Sequence, residues 1–292
     1  MTRSDIVTFK LDENGYEILS YTINSCDDGL LIKDILRKRM NISTSLLKKV
    51  KFGGVSINGT AVTMRKYVAC GDLVKVKLPR EESEGIPPID IPLNILYEDE
   101  YILAVIKPTN MPTHPSRGNS LPTLANAVMA YMGEDFVFRS INRLDRDTEG
   151  IVIIAKNQYI AGILSTDMKA GLFEKYYEAI LECAPRESYG IIDAPIEREA
   201  EGDIKRCVRE DGKRAITEYK ITKILEDGRA IAEIRLHTGR THQIRVHMSY
   251  IGAPLYADYL YGKRRENESY SLVAKKIIIT HPFTKERLEL KY

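Results

Sequence analysis

The run Pro79-Arg80-Glu81-Glu82-Ser83-Glu84-Gly85-Ile86-Pro87-Pro88 sets the organisation of this chain. Its three prolines remove backbone donors, its four charged side chains resist burial, and the run itself shows no apolar periodicity. Neither a helix nor a strand propagates through such a stretch, so the 292 residues divide there. We expect an N-terminal domain over 1–80, a linker over 81–89 and a larger domain over 90–292. A hydrophobic content of 43% is enough to give each domain a core.

The two sides of the division differ in charge. Between Leu30 and Arg80 twelve Lys or Arg stand against Asp34 and Asp72, a net +10, while the rest carries 31 basic and 39 acidic residues, a net −8. A compact basic segment on a mildly acidic body suits a nucleic-acid-binding module joined to an enzyme. Apolar residues at helical spacing predict helices over Leu30–Met40 and Ser45–Val50, with Ser43 where an N-cap belongs. Val7–Ile23 reads as a hairpin turning at Asn14-Gly15, Val55–Ile57 enters a turn at Asn58-Gly59, and Leu73–Leu78 alternates as a strand. Two small basic helices followed by a hairpin, with the stretch Gly54-Val55-Ser56-Ile57-Asn58-Gly59, resemble the S4 RNA-binding domain. That resemblance implies structured RNA as partner, with contacts from Ser43, Lys48, Lys49 and Lys51. The family often has Arg after the serine; Thr44 stands there here.

Beyond the linker, strand-like runs at Ile102–Ile106, Ile151–Lys156, Phe173–Leu181, Thr217–Leu225, Ala230–His237 and Lys276–Thr280 outnumber helical patterns at Thr123–Met132, Tyr159–Lys169 and Thr241–Tyr250. Short turns join several of them, which predicts an α+β fold: a mostly antiparallel mixed sheet flanked by helices and loops. No apolar stretch nears the roughly 18 residues of a membrane helix. The Met1–Lys10 segment has no signal-peptide core. Cys26, Cys70, Cys183 and Cys207 lie apart without any C-x-x-C pair, which argues against a zinc ribbon or disulfide scaffold and predicts a cytoplasmic protein.

Chemistry concentrates in Ile141-Asn142-Arg143-Leu144-Asp145-Arg146-Asp147-Thr148-Glu149-Gly150, which runs at once into a buried-type strand. A loop held by a rigid strand is a good place for catalytic groups. Guanidinium groups beside Asp145 and Asp147 favour the ionised carboxylate, suiting a nucleophile or base; the same residues would also make a structural Arg–Asp network. The D-x-D-x-T order of a phosphotransferase is present, but there the apolar strand precedes the first Asp, and here it follows. His237, His242 and His247 are five apart, about 500° on a helix and alternate faces on a strand, so no metal site is expected. Thr238-Gly239-Arg240-Thr241 reads as a loop opening a helix, which sets Arg245 in its first turns, able to point back toward a loop carboxylate.

In order along the chain, five segments resemble the pseudouridine synthase family that contains the ribosomal large-subunit synthases A, C and D. They are Lys107-Pro108 through His114-Pro115, with Asn110 in place of Gly; the 142–156 segment, with Asn142 for His and Glu149 for Ser; Lys175-Tyr176-Tyr177-Glu178-Ala179; Thr238-Gly239-Arg240-Thr241-His242-Gln243-Ile244-Arg245-Val246-His247; and Gly252-Ala253-Pro254-Leu255 with Asp258 and Tyr261-Gly262, where Ala257 replaces Gly. The resemblance covers about 190 residues and is nearest a C- or D-type synthase.

It implies isomerisation of uridine to pseudouridine in RNA, without a cofactor or metal. Asp145 would be the essential carboxylate, adding to C1′ or taking the 2′ proton; Arg245 would pair with it. Tyr177 would pack against the detached uracil and could accept the C5 proton. On an alternating strand Lys175 and Tyr177 share a face, and Tyr176 points away into a core. Arg143 is the candidate to fill the space of the flipped base, with His114, His242 and Gln243 as further RNA contacts. Large-subunit ribosomal RNA is the expected substrate, tRNA the alternative, and a monomer the expected state. The rival reading is a non-catalytic S4-type RNA-binding or ribosome-assembly factor.

Overall fold

The computed structural model describes residues 7–83, 85–116, 121–133, 135–266 and 268–292, so residues 1–6 and Glu84 of the expected linker lie outside the described residues. The chain forms two compact units, one of residues 1–83 with 157–165 and the other of 84–156 with 166–292.

In the first unit β1 (Thr8–Leu11) and β2 (Glu17–Thr22) form an antiparallel hairpin. Asp12 Oδ1 closes its turn by accepting from the Asn14 and Tyr16 N–H groups at 2.9 and 2.8 Å. Helices α1 (Ile32–Lys38) and α2 (Thr44–Val50) follow, then β3 (Val55–Ile57), β4 (Thr60–Ala61) and β5 (Leu73–Lys77), in the all-antiparallel order β1-β2-β5-β3-β4. Ser43 caps α2: its Oγ accepts from Leu46 N–H at 3.2 Å. Asn58 and Gly59, at φ 49° and 84°, make the doubly left-handed turn that matches strand twist between β3 and β4. Leu19, Ile32, Ile35, Leu36, Leu46, Val74 and Val76 are buried, while Lys48, Lys49 and Lys51 stay in solvent.

The second unit is built on one sheet. Its elements are β6 (Asn94–Glu98), β7 (Ile102–Lys107), α3 (Leu124–Met132), β8 (Glu149–Ala155), the end of α4 (Gln158–Lys169), β9 (Glu174–Leu181), β10 (Tyr189–Asp193), β11 (Ile196–Arg198), β12 (Arg206–Val208), β13 (Ile216–Ile224), β14 (Ala230–Leu236), α5 (Gln243–Tyr250), β15 (Leu272–Thr280) and β16 (Arg287–Lys291). Nine strands run β10-β13-β14-β9-β15-β8-β7-β6, with β16 on β15, while β11 and β12 form a separate hairpin. The β8–β15 ladder is parallel and the others are antiparallel, so the mixed, mostly antiparallel α+β expectation holds.

β7 and most of β8 are buried on both faces, as their unbroken apolar runs require. β9 alternates instead: Lys175, Tyr177, Ala179 and Leu181 face the core, and Tyr176 the other way. The expectation that Tyr176 enters a core is corrected here. Its ring lies half-exposed, its hydroxyl donating to Glu174 at 2.6 Å and its face covered by Lys276 and Arg235.

Backbone conformation answers several odd residues. Gly150, at φ 119°, sits where β8 meets β15, and a Cβ there would fall 2.4 Å from the Ala274 carbonyl oxygen. Asn110 adopts φ 56°, a conformation that Asn tolerates in place of Gly, and Ala257 takes φ 59° despite its Cβ. On the far side of the chain division, Pro87 O and the Ile89 N–H are bound by Asn126 of α3, so the later part of the expected linker is ordered against the second unit.

Candidate active site

A cleft of about 470 Å³ opens in the second unit where the 140–148 loop, the loop around 112–116, β9 and the start of α5 meet. The 140–148 loop is fastened on three sides. Asn142 is buried and clamps it to β8, its Nδ2 donating to Ile151 O at 2.9 Å and its Oδ1 accepting from Ile153 N–H at 2.9 Å. Thr113 Oγ1 donates to Leu144 O at 2.9 Å and accepts from Leu144 N–H at 3.2 Å. Lys107, at the end of β7 and fully buried, spends its three ammonium protons on the carbonyls of Pro108 (2.7 Å), Met111 (2.8 Å) and Arg146 (3.0 Å). Burial pushes this amine down to about 8 against the charges of Asp147, Asp145 and Glu149, which leaves it cationic at neutral pH.

The two carboxylates of the loop part company. Asp147 is turned in and takes a two-pronged contact from Arg146, at 2.7 and 2.9 Å. Asp145 faces the cleft with 29% of its side chain exposed. Beneath it lies Arg245, only 2% exposed, reaching Asp145 Oδ2 with Nη1 at 4.0 Å. The expected Arg245–Asp145 pair needs correction in one respect. The direct hydrogen bonds go to Asp258, from Nε at 2.7 Å and Nη2 at 2.8 Å, because that carboxylate presents both oxygens to the planar fork. Nη1 is the corner left over, and it points toward Asp145.

Burial opposes the Arg245 charge, but the Asp258 hydrogen bonds and the charges of Asp258 and Asp145 outweigh it, holding the guanidinium firmly protonated. The rings of Tyr270, Tyr261 and Tyr259 surround it at 4.4, 5.0 and 5.5 Å. Tyr177 and Lys175 line the cleft from β9. Burial, then the nearby Asp145 charge, raise the Tyr177 phenol well above its ordinary range, so it is neutral. His242 opens α5 at φ 59°, with Nδ1 2.7 Å from the Tyr261 hydroxyl and Nε2 3.9 Å from Asp145 Oδ2. A half-exposed carboxylate over a sealed guanidinium, beside a neutral phenol and in an open polar cleft, is equipped to act as a nucleophile or a base on a molecule held there.

The chain is similar to known proteins along most of its length. The family profile described as RNA pseudouridylate synthase matches residues 101–250, which include the loop, β9 and α5. The uncharacterised RNA pseudouridine synthase YjbO of Bacillus subtilis is 39% identical over 256 residues, covering 85% of this chain and 90% of that protein. The chain belongs to the RNA pseudouridine synthase family.

Ribosomal large subunit pseudouridine synthase D of Xanthomonas campestris is 35% identical over 224 residues, 73% of this chain and 65% of that one. The solved human RNA pseudouridylate synthase domain containing 1 superposes with a TM-score of 0.58 at 27% identity, over 69% of this chain and 83% of that chain. This synthase is therefore an isomerase acting on uridine in RNA.

Of the residues singled out in the sequence, the cleft of the synthase gathers His114, Arg143, Asp145, Tyr177, His242 and Arg245 among its walls. Arg143 is exposed at the rim. His114 contacts Ser140 Oγ at 2.9 Å and stands edge-on to Phe138. Gln243 touches the cleft with its side chain engaged inside the protein. Its Oε1 accepts from Thr238 Oγ1 (2.8 Å) and Arg240 N–H (2.9 Å), and its Nε2 donates to Ile216 O (2.9 Å) and Thr217 Oγ1 (3.0 Å), so its hydrogen bonding is spent within the fold. The histidines do not converge: His237 meets Glu218, and His247 lies between Thr217 and Ala194 O. Ser43, Lys48, Lys49 and Lys51 belong to the first unit, where Lys49 is paired with Glu81 at 2.9 Å. Asp258, Tyr261 and Lys107 were legible only as motif letters. A buried partner for Arg245 could have been sought, since a sealed guanidinium needs a carboxylate.

Proposed function

We propose that Asp145 is the catalytic carboxylate, acting at the ribose of an extruded uridine either as nucleophile at C1′ or as base for the 2′ proton. The N1–C1′ bond breaks, the freed uracil turns, C5 bonds to C1′, the C5 proton leaves and N1 gains one, so the product is an isomer. The observation that carries this reading is the division of labour at Arg245. Asp258 takes two corners of the guanidinium, and Nη1 faces Asp145 at 4.0 Å, so the cleft carboxylate feels a fixed positive charge without being consumed by a tight ion pair. Tyr177 packs against the detached base. Its raised pKa suits packing rather than service as the C5 base, because the phenolate is the form that accepts a proton. Arg143 at the rim occupies the space of the flipped nucleotide, and His114 contacts the RNA.

The N-terminal unit, with two basic helices and a hairpin, acts as an S4-type module that grips phosphates through Lys48 and Lys51, with Lys49 joining by exchange from Glu81. Ser43 serves it as a helix cap. Large-subunit ribosomal RNA is the substrate favoured by the synthases D among its relatives, in a cytoplasmic, monomeric, C- or D-like enzyme. Asp145→Asn should abolish tritium release from 5-tritiated-uridine RNA while the fold persists by circular dichroism; full activity would remove Asp145 from the chemistry. Carbodiimide-dependent primer extension in a deletion strain should show one or more pseudouridines missing from large-subunit RNA, and losses confined to tRNA would reassign the substrate.

A further inference from the structure

His242 sits in a hydrogen-bond chain whose direction can be worked out atom by atom. The backbone N–H of Arg206, at the start of β12, donates to the Tyr261 hydroxyl oxygen at 2.8 Å. That oxygen lies 2.7 Å from His242 Nδ1, and among the described residues no other acceptor lies within reach of the hydroxyl. A hydroxyl that accepts from a peptide N–H still has its own proton to give, and Nδ1, 2.7 Å away, is the protein acceptor placed to take it. A neutral imidazole accepting at Nδ1 carries its proton at Nε2, the nitrogen 3.9 Å from Asp145 Oδ2. Two independent features keep both partners in these forms. Burial lowers the His242 pKa, with the charges of Asp145, Arg245, Asp258 and Arg206 acting in opposing senses, and burial pushes the Tyr261 phenol up to about 12.

Arg245 Nη1 approaches the same oxygen, Oδ2, from α5 at 4.0 Å. Two nitrogens thus converge on one oxygen of the carboxylate, each just beyond direct hydrogen-bond distance. We propose that His242 is a positioning residue for Asp145: Tyr261 locks it as the Nε2–H tautomer, and with Arg245 it holds Oδ2 so that Oδ1 is presented to the nucleotide. This rests on Asp145 being the catalytic carboxylate, and it reassigns His242 from RNA contact to orientation of the reacting group. It also gives the β11–β12 hairpin a part in the site, since its backbone sets the direction of the chain.

The test has a spectroscopic arm that needs no turnover. In protein labelled with ¹⁵N-histidine, two-bond proton–nitrogen correlation should show His242 protonated at Nε2 and bare at Nδ1. Tyr261→Phe, which keeps the ring against Arg245, should release that preference and populate both tautomers. In the kinetic arm Tyr261→Phe should lower kcat on the order of 10- to 100-fold, the scale of a misplaced reacting group, with KM for RNA unchanged. His242→Gln, which keeps an N–H donor near the Nε2 position, should recover part of the kcat that His242→Leu loses; both substitutions share the backbone cost of φ 59°. A wild-type Nδ1–H tautomer, an unchanged kcat in Tyr261→Phe, or equal kcat for the Gln and Leu variants would each overturn the proposal. An active Asp145→Asn variant would instead defeat the catalytic reading, and the tautomer measurement would stand apart from it.

Discussion

The two histidines at either side of Arg245 on α5 are held by the same device and serve different ends. At His247 the chain runs from Gln243 Nε2–H to Thr217 Oγ1 at 3.0 Å, from the Thr217 hydroxyl to Nδ1 at 2.8 Å, and from Nε2–H to Ala194 O at 2.9 Å. At His242 it runs from Arg206 N–H through the Tyr261 hydroxyl to Nδ1, and Nε2 faces Asp145. In each a hydroxyl meets Nδ1 and burial lowers the imidazole pKa, while at His247 the Ala194 carbonyl, an acceptor only, fixes the proton on Nε2. What differs is the acceptor beyond Nε2. A carbonyl in the sealed interior makes His247 a strut; a half-exposed carboxylate in the cleft makes His242 part of the site. Chemically similar side chains five positions apart acquire different roles from what stands opposite one nitrogen.

The largest effect on this arrangement is expected at the carboxylate that holds Arg245, the residue between the two histidines. Asp258→Asn strands the Arg245 guanidinium in the interior and should cost about 3–5 kcal/mol of unfolding free energy, read from urea midpoints; a loss below 1 kcal/mol would mean that Asp145 or water replaces the lost partner. Next comes His247→Leu. It leaves the Thr217 hydroxyl proton without an acceptor, though its oxygen keeps the Gln243 donor, and it leaves the Ala194 carbonyl without the His247 donor, a penalty of about 1–3 kcal/mol for a buried group so stranded, while kcat per folded molecule stays at the wild-type value. A kcat loss like that of Tyr261→Phe, without the stability loss, would erase the distinction between strut and site.

A smaller effect should appear on acidification. The unfolded chain binds a proton at each of these histidines near 6.5, whereas the folded protein resists until lower pH. The unfolded state therefore holds more protons below that value, so stability falls as pH drops through 6.5 and is fully present above it. His247→Gln should flatten part of the slope between pH 7 and 5 in thermal melts, and an unaltered slope would show that His247 titrates alike in both states. The smallest effect belongs to the other unit: Lys48→Ala should reduce the slope of log affinity against log salt by about one in RNA binding. It should leave kcat at saturating RNA unchanged, and a changed kcat would show that this lysine reaches the chemistry.

Elements with strong local signals were readable in the amino-acid order. The alternation of β9, the continuous apolar runs of β7 and β8, the Ser43 cap and the Asn-Gly turns each stand within a few residues of their cause. β6, β10 and β16 were not read. They are peripheral strands with largely exposed or half-exposed residues, so their alternation is weak. β11 and β12, three residues each, are too short to carry a period. In the site, Asp145, Tyr177 and Arg245 were legible as family motif positions, whereas the commitment of Gln243 to the interior and of Tyr176 to the outer face was not. A polar side chain looks the same in sequence whether its partners are water, RNA or a distant backbone.

The order of residues by itself determined a basic stretch before residue 80, an α+β fold beyond it and a charged loop running into a buried strand. These follow from backbone preference and hydrophobic period, which act over a turn or a strand. Which of Asp145 and Asp147 faces the cleft, and which carboxylate takes the fork of Arg245, was decided only by the tertiary structure. Asp258 and Asp145 lie more than a hundred residues apart and compete for one guanidinium. Their competition is settled by geometry at distances of 2.7 and 4.0 Å, which exists only after the strands and α5 have packed.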